Sequence, residues 1–311
     1  MRRVVFVPRT PESAWTDDIF PGKSAAELPV AGKLFSDYAM QVALRFGYHY
    51  CDVIDWSHSK TMALHLAQID QNNFSVAYRK PLGDMPEGLA GFLDFEKAIG
   101  KEFCGDMTVV WGLHLTGHGR AESQLTPLTD GEFRKTPTGI YTRENGKWFR
   151  LVPFGAAVKS PRSWLQANLA VLHNPDRFTL PGYSSEPDVH LGRNVVLEHG
   201  VAVKAPVLLC DNIWCSRNVE LDGDVIIAPG SFIGEGAHLA KTVVCDDTYV
   251  GAGLDLTNKI IAGRRVIDPE TGAWGDISEK GVARNIGGFA WKSILRGVWR
   301  VLRGKSAGRR G

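Results

Sequence analysis

The stretch that decides the fold runs from Val189 to Ala262, and residues 189–248 of it read VHLGRN VVLEHG VAVKAP VLLCDN IWCSRN VELDGD VIIAPG SFIGEG AHLAKT VVCDDT. In these blocks of six, the first and third positions are apolar or small every time. Residues two apart on a strand point to the same side. Each block therefore predicts a short strand with two inward side chains, followed by a polar or glycine-containing turn. A fixed short period of this kind predicts a coil that stacks on itself.

The blocks resemble the hexapeptide repeat of left-handed β-helix proteins, in which three hexads make one coil. Ile233-Gly234 and Ile227-Ala228 follow the aliphatic-then-small pattern of that repeat. After Cys245 the phase shifts by one, because Val250 follows five residues later, and we expect an irregular last coil there. The resemblance implies a fold but no activity, since this prism is an enzyme in some families and a scaffold in others.

Length and composition limit the class of protein. At 311 residues and 44% hydrophobic content, the chain can hold two domains with sizeable cores. The net charge of +2 is too small to indicate a nucleic-acid partner. Five cysteines without a CxxC motif favour a reducing compartment. The first apolar run has five residues, too short for a signal peptide, and no apolar stretch is long enough to span a membrane. We therefore expect a cytoplasmic protein.

Apolar segments alternate with helical patterns in the N-terminal half. Strands are predicted at 3–7, 51–56, 74–78 and 107–112, and helices at 35–46, 61–69 and 85–99. This alternation indicates an α/β domain with a parallel sheet that binds ligands at the carboxyl ends of its strands. A site is therefore expected in the loops 8–28 and 112–120. Segments 139–141 and 147–150 are predicted to add two strands to the sheet.

Three segments of this half resemble the sugar-nucleotidyltransferases, or nucleotide-sugar pyrophosphorylases. Leu28–Lys33 reads LPVAGK before a helix, and Ser160–Asn168 reads SPRSWLQAN ahead of the hexads. Trp111-Gly112 lies where the family has its NGD turn. The resemblance implies an α/β plus β fold class. A Rossmann-like (nucleotide-diphospho-sugar transferase-like) domain would be followed by a left-handed parallel β-helix and a short C-terminal helix.

The domain limits follow from these segments. We predict a nucleotidyltransferase-like domain over 1–173, a linker over 174–188, a left-handed β-helix over 189–268, and a basic tail with an amphipathic helix over 269–311.

The residues that the family reaction needs are replaced in this chain. The reaction joins a sugar 1-phosphate to a nucleoside triphosphate, using a glycine loop whose N–H groups hold phosphates, a lysine, and carboxylates for Mg²⁺. By the resemblance, the glycine loop falls on Val7–Ser13 (VPRTPES) and the lysine on Ala25. The two metal aspartates fall on Leu113 and Ala157. We therefore predict a catalytically degenerate protein of nucleotide-sugar or surface-polysaccharide metabolism that binds, regulates or scaffolds.

Ligands are still expected at the N-terminal domain. The cations best placed for a nucleotide-sugar or sugar phosphate are Arg9, Lys23 and Lys33. No metal-binding residue and no firm cofactor is assigned. The β-helix is expected to mediate oligomer or protein contacts, and no nucleic-acid partner is predicted.

Two alternatives stay open. An active nucleotidyltransferase would use Mg²⁺ and substituted site residues, for which the candidates are Asp17, Asp18, Lys23, His114 and His118. A hexapeptide acyltransferase would use a coil histidine as general base, for which the candidates are His199 foremost, His190 and His238.

The C-terminal tail is basic. From Arg284 onward it has eight Lys or Arg and no Asp or Glu, and residues 291–303 fit a helix with separate apolar and basic sides. Such a helix suits the anionic inner face of a membrane. The residues assigned to that contact are Trp291, Lys292, Arg296, Trp299, Arg300 and Arg303. Docking of the apolar side on the end of the β-helix is equally compatible with the pattern.

Overall fold

The computed structural model describes residues 3–45, 47–57, 59–69, 74–80, 91, 94, 106–115, 125–129, 138–151, 157–276 and 283–285. The chain forms two compact units, Met1–Thr179 (unit 1) and Leu180–Gly311 (unit 2). His118, the tail from 286 onward with all its membrane-contact residues, and most of the helix predicted over 85–99 lie outside the described residues. The four domain limits given above stay predictions. Within the described residues, no helix is long and apolar enough to cross a membrane.

Unit 1 contains nine strands and four helices within its described residues. The strands are β1 Arg3–Val7, β2 Pro29–Val30, β3 Lys33–Leu34, β4 Tyr50–Ile54, β5 Ser75–Arg79, β6 Met107–Trp111, β7 Leu125–Pro127, β8 Gly139–Glu144 and β9 Lys147–Leu151. The helices are α1 Trp15–Ile19, α2 Phe35–Arg45, α3 Lys60–Ile69 and α4 Pro161–Leu172. Two single 3₁₀ turns, Pro11–Ser13 and Ala25–Glu27, interrupt the stretch that the sequence predicted as an open loop over 8–28.

The main sheet of unit 1 has the order β5-β4-β1-β6-β8-β9-β7. Strands β5, β4, β1 and β6 are parallel, as predicted, but β8, β9 and β7 are antiparallel. The two segments at 139–141 and 147–150 thus join the sheet as predicted, but in antiparallel orientation. The reason is local, since Asn145 and Gly146, with φ of 51° and 78°, form a two-residue hairpin turn, which joins only antiparallel strands. Strand β1 is central and its residues Val4–Val7 are fully buried, which explains its unbroken apolar sequence.

Two of the three segments that resemble the nucleotidyltransferases, Leu28–Lys33 and Ser160–Asn168, contact each other. Ala31 and Gly32, with φ of 46° and 76°, turn the chain between β2 and β3. The Ala31 N–H donates to Oδ1 of the buried Asn168 in α4 at 2.8 Å. Trp164 Nε1, also in α4, donates to the Pro29 carbonyl at 2.7 Å. Burial without these partners would cost each polar group free energy, so the LPVAGK hairpin and α4 depend on each other.

Unit 2 consists of short strands in three main sheets. The strands are β10 Tyr183–Glu186, β11 Val189–Leu191, β12 Val196–Leu197, β13 Ala202–Lys204, β14 Val207–Leu209, β15 Trp214–Cys215, β16 Glu220–Asp222, β17 Val225–Ile227, β18 Phe232–Ile233, β19 His238–Ala240, β20 Thr242–Val244, β21 Thr248–Val250, β22 Asp255–Thr257, β23 Ile260–Ala262, β24 Arg265–Ile267, β25 Trp274–Asp276 and β26 Ala283–Asn285. From β11 to β23, successive strands fall in different sheets. The strand orders are β10-β11-β14-β17-β20-β23-β24-β25, β12-β15-β18-β21-β26 and β13-β16-β19-β22.

Each strand from β11 to β20 pairs in parallel with the third strand after it in the sequence. Val207 pairs with Val225, and Leu221 pairs with Leu239. The first and third positions of these hexads fill one apolar core, which includes Leu209, Ile213 and Ile233. This sheet-rich, parallel arrangement is compatible with a β-helix of three strands per turn.

The phase shift of the repeat lies at Lys241. The sequence prediction, which placed this shift after Cys245, was wrong. Leu239 keeps the original register, whereas Val244 already pairs one residue short, with Ile227. The corner has one residue, Lys241 with φ of 48°, where the preceding coil has Gly223 and an aspartate. Val244 therefore belongs to the coil core. Cys245 is also buried, at 4% exposure, so apolar content alone could not show which frame applies.

Gly234 tests how closely adjacent coils stack. A Cβ at Gly234 would lie 2.6 Å from the Ala252 nitrogen and 2.7 Å from the Gly251 carbonyl carbon, both rigid backbone atoms of the next coil. We expect Gly234→Ala to lower the free energy of unfolding by about 2–3 kcal/mol, measured by urea denaturation. Gly275→Ala is the matched control, because its Cβ would meet nothing within 4 Å. Equal denaturation midpoints for the two variants would contradict this packing.

Candidate functional site

The order in which the chain adds strands to the main sheet reverses between β1 and β6. Strand β1 is followed on one side by β4 and β5, and on the other side by β6. In open α/β sheets, ligands bind outside the carboxyl ends of the strands at such a switch point. The Gly112 N–H, directly after β6, donates to the Val7 carbonyl at the end of β1 at 2.8 Å, so both strand ends meet. Residues 157–159 join them, because His114 and Ala157 form an antiparallel bridge.

We call this place the strand-end site and define it by residues 8–13, 112–114, 138 and 157–159. Thr138 fits there because Gly112 has φ of 90° and no side chain. A Cβ at Gly112 would lie 3.1 Å from the Thr138 Cβ. Any other residue at this position would also be strained, because the backbone here has the left-handed conformation that favours glycine.

The turn after β1 is closed by its own hydrogen bonds. The Ser13 hydroxyl accepts the Thr10 N–H at 2.9 Å and lies 3.1 Å from the Pro8 and Thr10 carbonyl oxygens, to which it can donate. The Ser13 N–H donates to the Thr10 carbonyl at 3.0 Å, and the Ala14 N–H to the Pro11 carbonyl at 3.4 Å. Pro8 and Pro11 have no N–H at all. The turn therefore uses the N–H groups of Thr10, Ser13 and Ala14 for its own bonds, where a phosphate loop directs its N–H groups at the ligand.

Two donors converge on one carboxylate oxygen in the strand-end site. Thr138 Oγ1 donates a very short hydrogen bond to Glu12 Oε2, and Lys159 Nζ lies 2.9 Å from the same oxygen. Burial raises the pKa of Glu12, but the hydrogen bonds from Thr138 and Lys159 outweigh it and hold this pKa below its usual value. Glu12 is therefore ionised at neutral pH.

His114 is the buried titratable group of the site. Its side chain is 6% exposed, and its Nε2 has no hydrogen-bond partner among the described residues. Burial lowers the pKa of His114 to about 4, and the nearby Lys159 ammonium adds to this effect. The ring also bonds to the Trp111 carbonyl. Because the Nδ1 hydrogen serves that bond, Nε2 of the neutral ring is an acceptor.

The site does not fit the Mg²⁺ ion that the resemblance implies. The two expected metal positions, Leu113 and Ala157, do lie side by side, since the Val158 N–H donates to the Leu113 carbonyl at 2.8 Å. Neither side chain offers an oxygen, and Mg²⁺ needs carboxylates. Glu12 faces an ammonium instead. Nowhere in the described parts of the chain do three or more His, Cys, Asp or Glu come together as a metal site.

The three predicted phosphate-binding cations contact different groups. Arg9 forms a double hydrogen bond with Asp17, at 2.6 and 3.3 Å. Lys23 Nζ lies 5.8 Å from the centre of the Phe20 ring. Lys33 Nζ donates to the Thr179 carbonyl at 2.6 Å, and burial lowers the pKa of Lys33. Their assignment as ligand-binding residues stays a prediction.

The coil histidines lie in different surroundings. His199 is exposed in its turn, and the neighbouring Glu198 carboxylate accepts from Trp214 Nε1 and Ser216 Oγ instead. His238 Nδ1 lies 3.0 Å from Asp255 Oδ1. Of the candidate coil histidines, His238 therefore has a carboxylate partner.

Three residues of the strand-end site were missed from the sequence: Glu12, Thr138 and Lys159. Glu12 and Thr138 are 126 residues apart, and no motif links them. The sequence offered one signal, the position of Lys159. This lysine directly precedes Ser160-Pro161, where the segment that resembles the nucleotidyltransferases begins.

The buried neutral His114 predicts a loss of stability in acid. Its pKa is lowered in the folded state, so the unfolded chain binds the proton first as the pH falls from about 6.5. We expect the free energy of unfolding to drop by up to about 3 kcal/mol between pH 6.5 and 4 from this group. His114→Asn should remove that part of the pH dependence in urea titrations, and the exposed His173→Gln should keep it. A His114→Asn variant whose stability follows the wild-type pH curve would contradict the prediction.

Comparison with known proteins adds one similarity. No protein-family model matches the chain. The chain is 26% identical over 120 residues to a UTP–glucose-1-phosphate uridylyltransferase of Synechocystis sp. (strain ATCC 27184 / PCC 6803 / Kazusa). The match covers 38% of this chain and 31% of that protein, so the chain spans about a third of the length of this relative. The chain is thus similar, over part of its length, to a nucleotidyltransferase.

Proposed function

We propose that this chain is a nucleotidyltransferase-like protein of nucleotide-sugar or surface-polysaccharide metabolism that binds a ligand, regulates or scaffolds, and does not transfer a nucleotidyl group. The partial similarity to a uridylyltransferase supports the nucleotide-sugar setting. The position of the strand-end site at the switch point of the sheet supports a ligand there.

The observation that carries the proposal is the closed turn after β1. A triphosphate that used the Thr10, Ser13 and Ala14 N–H groups would have to replace the bonds that these groups make within the turn. Each such bond contributes about 1 kcal/mol, and the turn would lose its internal support as well. Leu113 and Ala157 add no metal ligand to compensate for triphosphate charge. Weak binding of a nucleotide-sugar or sugar phosphate is compatible with this site, with Arg9, Lys23 and Lys33 as contributing cations.

We propose a left-handed β-helix for unit 2, within the limits 189–268. The support is the parallel pairing of strands three hexads apart and the resemblance to the hexapeptide repeat. A regular coil of this kind offers flat faces for oligomer or protein contacts. We place the protein in the cytoplasm, with the basic tail as a candidate contact to the inner face of the membrane.

A second function, hexapeptide acyltransferase, is favoured by one observation. His238 Nδ1 contacts Asp255 Oδ1 at 3.0 Å, which would orient the ring and leave Nε2 free as a base. The pair lies on the surface of the coil, and Asp255 is largely exposed. Most exposed His–Asp pairs are weak surface ion pairs, so this function ranks second.

The proposal predicts no magnesium-dependent release of pyrophosphate. The assay uses the full chain, Mg²⁺, and a panel of nucleoside triphosphates and sugar 1-phosphates that includes UTP with glucose 1-phosphate. We expect rates equal to the protein-free background, and an active uridylyltransferase serves as the positive control. Turnover above background with any pair would contradict the loss of catalysis. Thiol release from acetyl-CoA, measured in parallel with sugar acceptors, tests the acyltransferase.

A further inference from the structure

Glu12, Thr138 and Lys159 form an arrangement that ordinary surface ion pairs lack. A hydroxyl and an ammonium, from segments far apart in the sequence, donate to the same carboxylate oxygen. The 3₁₀ turn Pro11–Ser13 positions Glu12, and the internal bonds of Ser13 hold that turn. An ammonium and a hydroxyl on one anionic oxygen are also the donors that bind a phosphate oxygen in proteins.

We propose that Thr138 and Lys159 form an anion subsite for the phosphate group of a sugar phosphate, and that the carboxylate of Glu12 fills this subsite while no ligand is bound. Glu12 is then a built-in competitor, which a phosphorylated ligand has to displace. This inference rests on the proposed function of the same site, and it identifies sugar phosphates as the ligand class.

The exposure of the pair allows such a displacement. The side chains of Lys159 and Glu12 are 47% and 37% exposed, so a ligand can approach from solvent without unfolding the turn. The Glu12 backbone belongs to the closed turn, but its side chain can rotate away. Lys159 then supplies a fixed positive charge next to the apolar positions Leu113 and Ala157, where the related chemistry uses a metal. Phosphate binding at this subsite should therefore be independent of Mg²⁺.

Two buried polar atoms of the same site favour a sugar phosphate over inorganic phosphate. His114 Nε2 and Thr10 Oγ1 are buried and have no hydrogen-bond partner within the described residues. Such groups cost free energy unless a partner completes them. Nε2 is an acceptor and the Thr10 hydroxyl can donate or accept, so both suit sugar hydroxyl groups. The acceptor at His114 would disfavour a second anionic group at that position.

The test measures the dissociation constant of glucose 1-phosphate for the full chain by calorimetry, in buffer with EDTA and without triphosphate. Glu12→Gln removes the negative charge at nearly constant volume. We expect it to bind at least about 10-fold tighter than wild type, which is about 1.4 kcal/mol. Lys159→Met in the Glu12→Gln background should reverse the gain. Adding Mg²⁺ should leave all values unchanged.

The matched control is Asp222→Asn. Asp222 is another exposed carboxylate that pairs with a lysine, Lys204, at 2.8 Å, so its replacement changes the net charge by the same amount. We expect its dissociation constant to stay within about twofold of wild type, since this ion pair is not part of the strand-end site and exposed charges are screened by salt. Glu12→Ala, which removes the side chain altogether, repeats the test if the Gln variant is unstable.

Three results would overturn the inference: no gain in Glu12→Gln and Glu12→Ala, an equal gain in Asp222→Asn, or a gain that survives Lys159→Met. Equal gains for inorganic phosphate and glucose 1-phosphate would overturn the assignment to sugar phosphates. Pyrophosphate release by the wild type would contradict the proposed function alone. The two failures are distinguishable, because the binding comparison involves no turnover.

Discussion

The hydrogen bonds of Ser13 fix the turn after β1, and this turn determines which groups face a ligand at the strand-end site. Strand β1 is buried between parallel neighbours, so the turn that leaves it must pair its polar backbone groups. This chain pairs three of its N–H groups, those of Thr10, Ser13 and Ala14, within the turn, and Pro8 and Pro11 have no N–H to pair. A nucleotidyltransferase needs the opposite arrangement, with unpaired N–H groups facing the phosphates. The closed turn also brings Glu12 to Thr138 and Lys159, which makes the site nearly neutral.

The fold that surrounds this site is well supported by its own packing. The LPVAGK hairpin and α4 are joined by the buried bonds of Asn168 and Trp164, and neither bond involves a catalytic group. Unit 2 is ordered by a separate rule, the close stacking of coils at positions such as Gly234. The architecture can therefore persist while the chemistry of the strand-end site changes. This separation explains why fold and reaction have to be argued from different residues.

Much of the fold could be predicted from the sequence, because short-range patterns of apolar residues indicate its strands. The hexads predicted the parallel strands of unit 2, and apolar runs such as Val4–Val7 predicted the central strands of unit 1. The prediction failed where two alternative registers of the repeat would both bury apolar side chains. Cys245 and Val244 are both buried, so the phase shift at Lys241 could not be seen. The antiparallel pairing of β8 and β9 follows from the hairpin turn at Asn145-Gly146. The Asn-Gly dipeptide is a sequence signal for such a turn, but it did not enter the prediction.

The site was harder to predict, because its groups meet only in three dimensions. The loss of carboxylates at Leu113 and Ala157 could be seen from resemblance, but the pairing of Glu12 with Lys159 could not. Cations chosen by proximity in sequence, such as Arg9 and Lys33, have separate partners in the structure. Side chains that replace a missing group tend to come from distant segments, and a single sequence carries no record of that contact.

Amide hydrogen exchange of the turn after β1 tests the central claim most directly. The account predicts that the N–H groups of Thr10, Ser13 and Ala14 are protected in the free protein, and that UTP with Mg²⁺ leaves their exchange rates unchanged. Rapid exchange in the free protein, followed by protection when UTP and Mg²⁺ are added, would show an open phosphate cradle and would contradict the account.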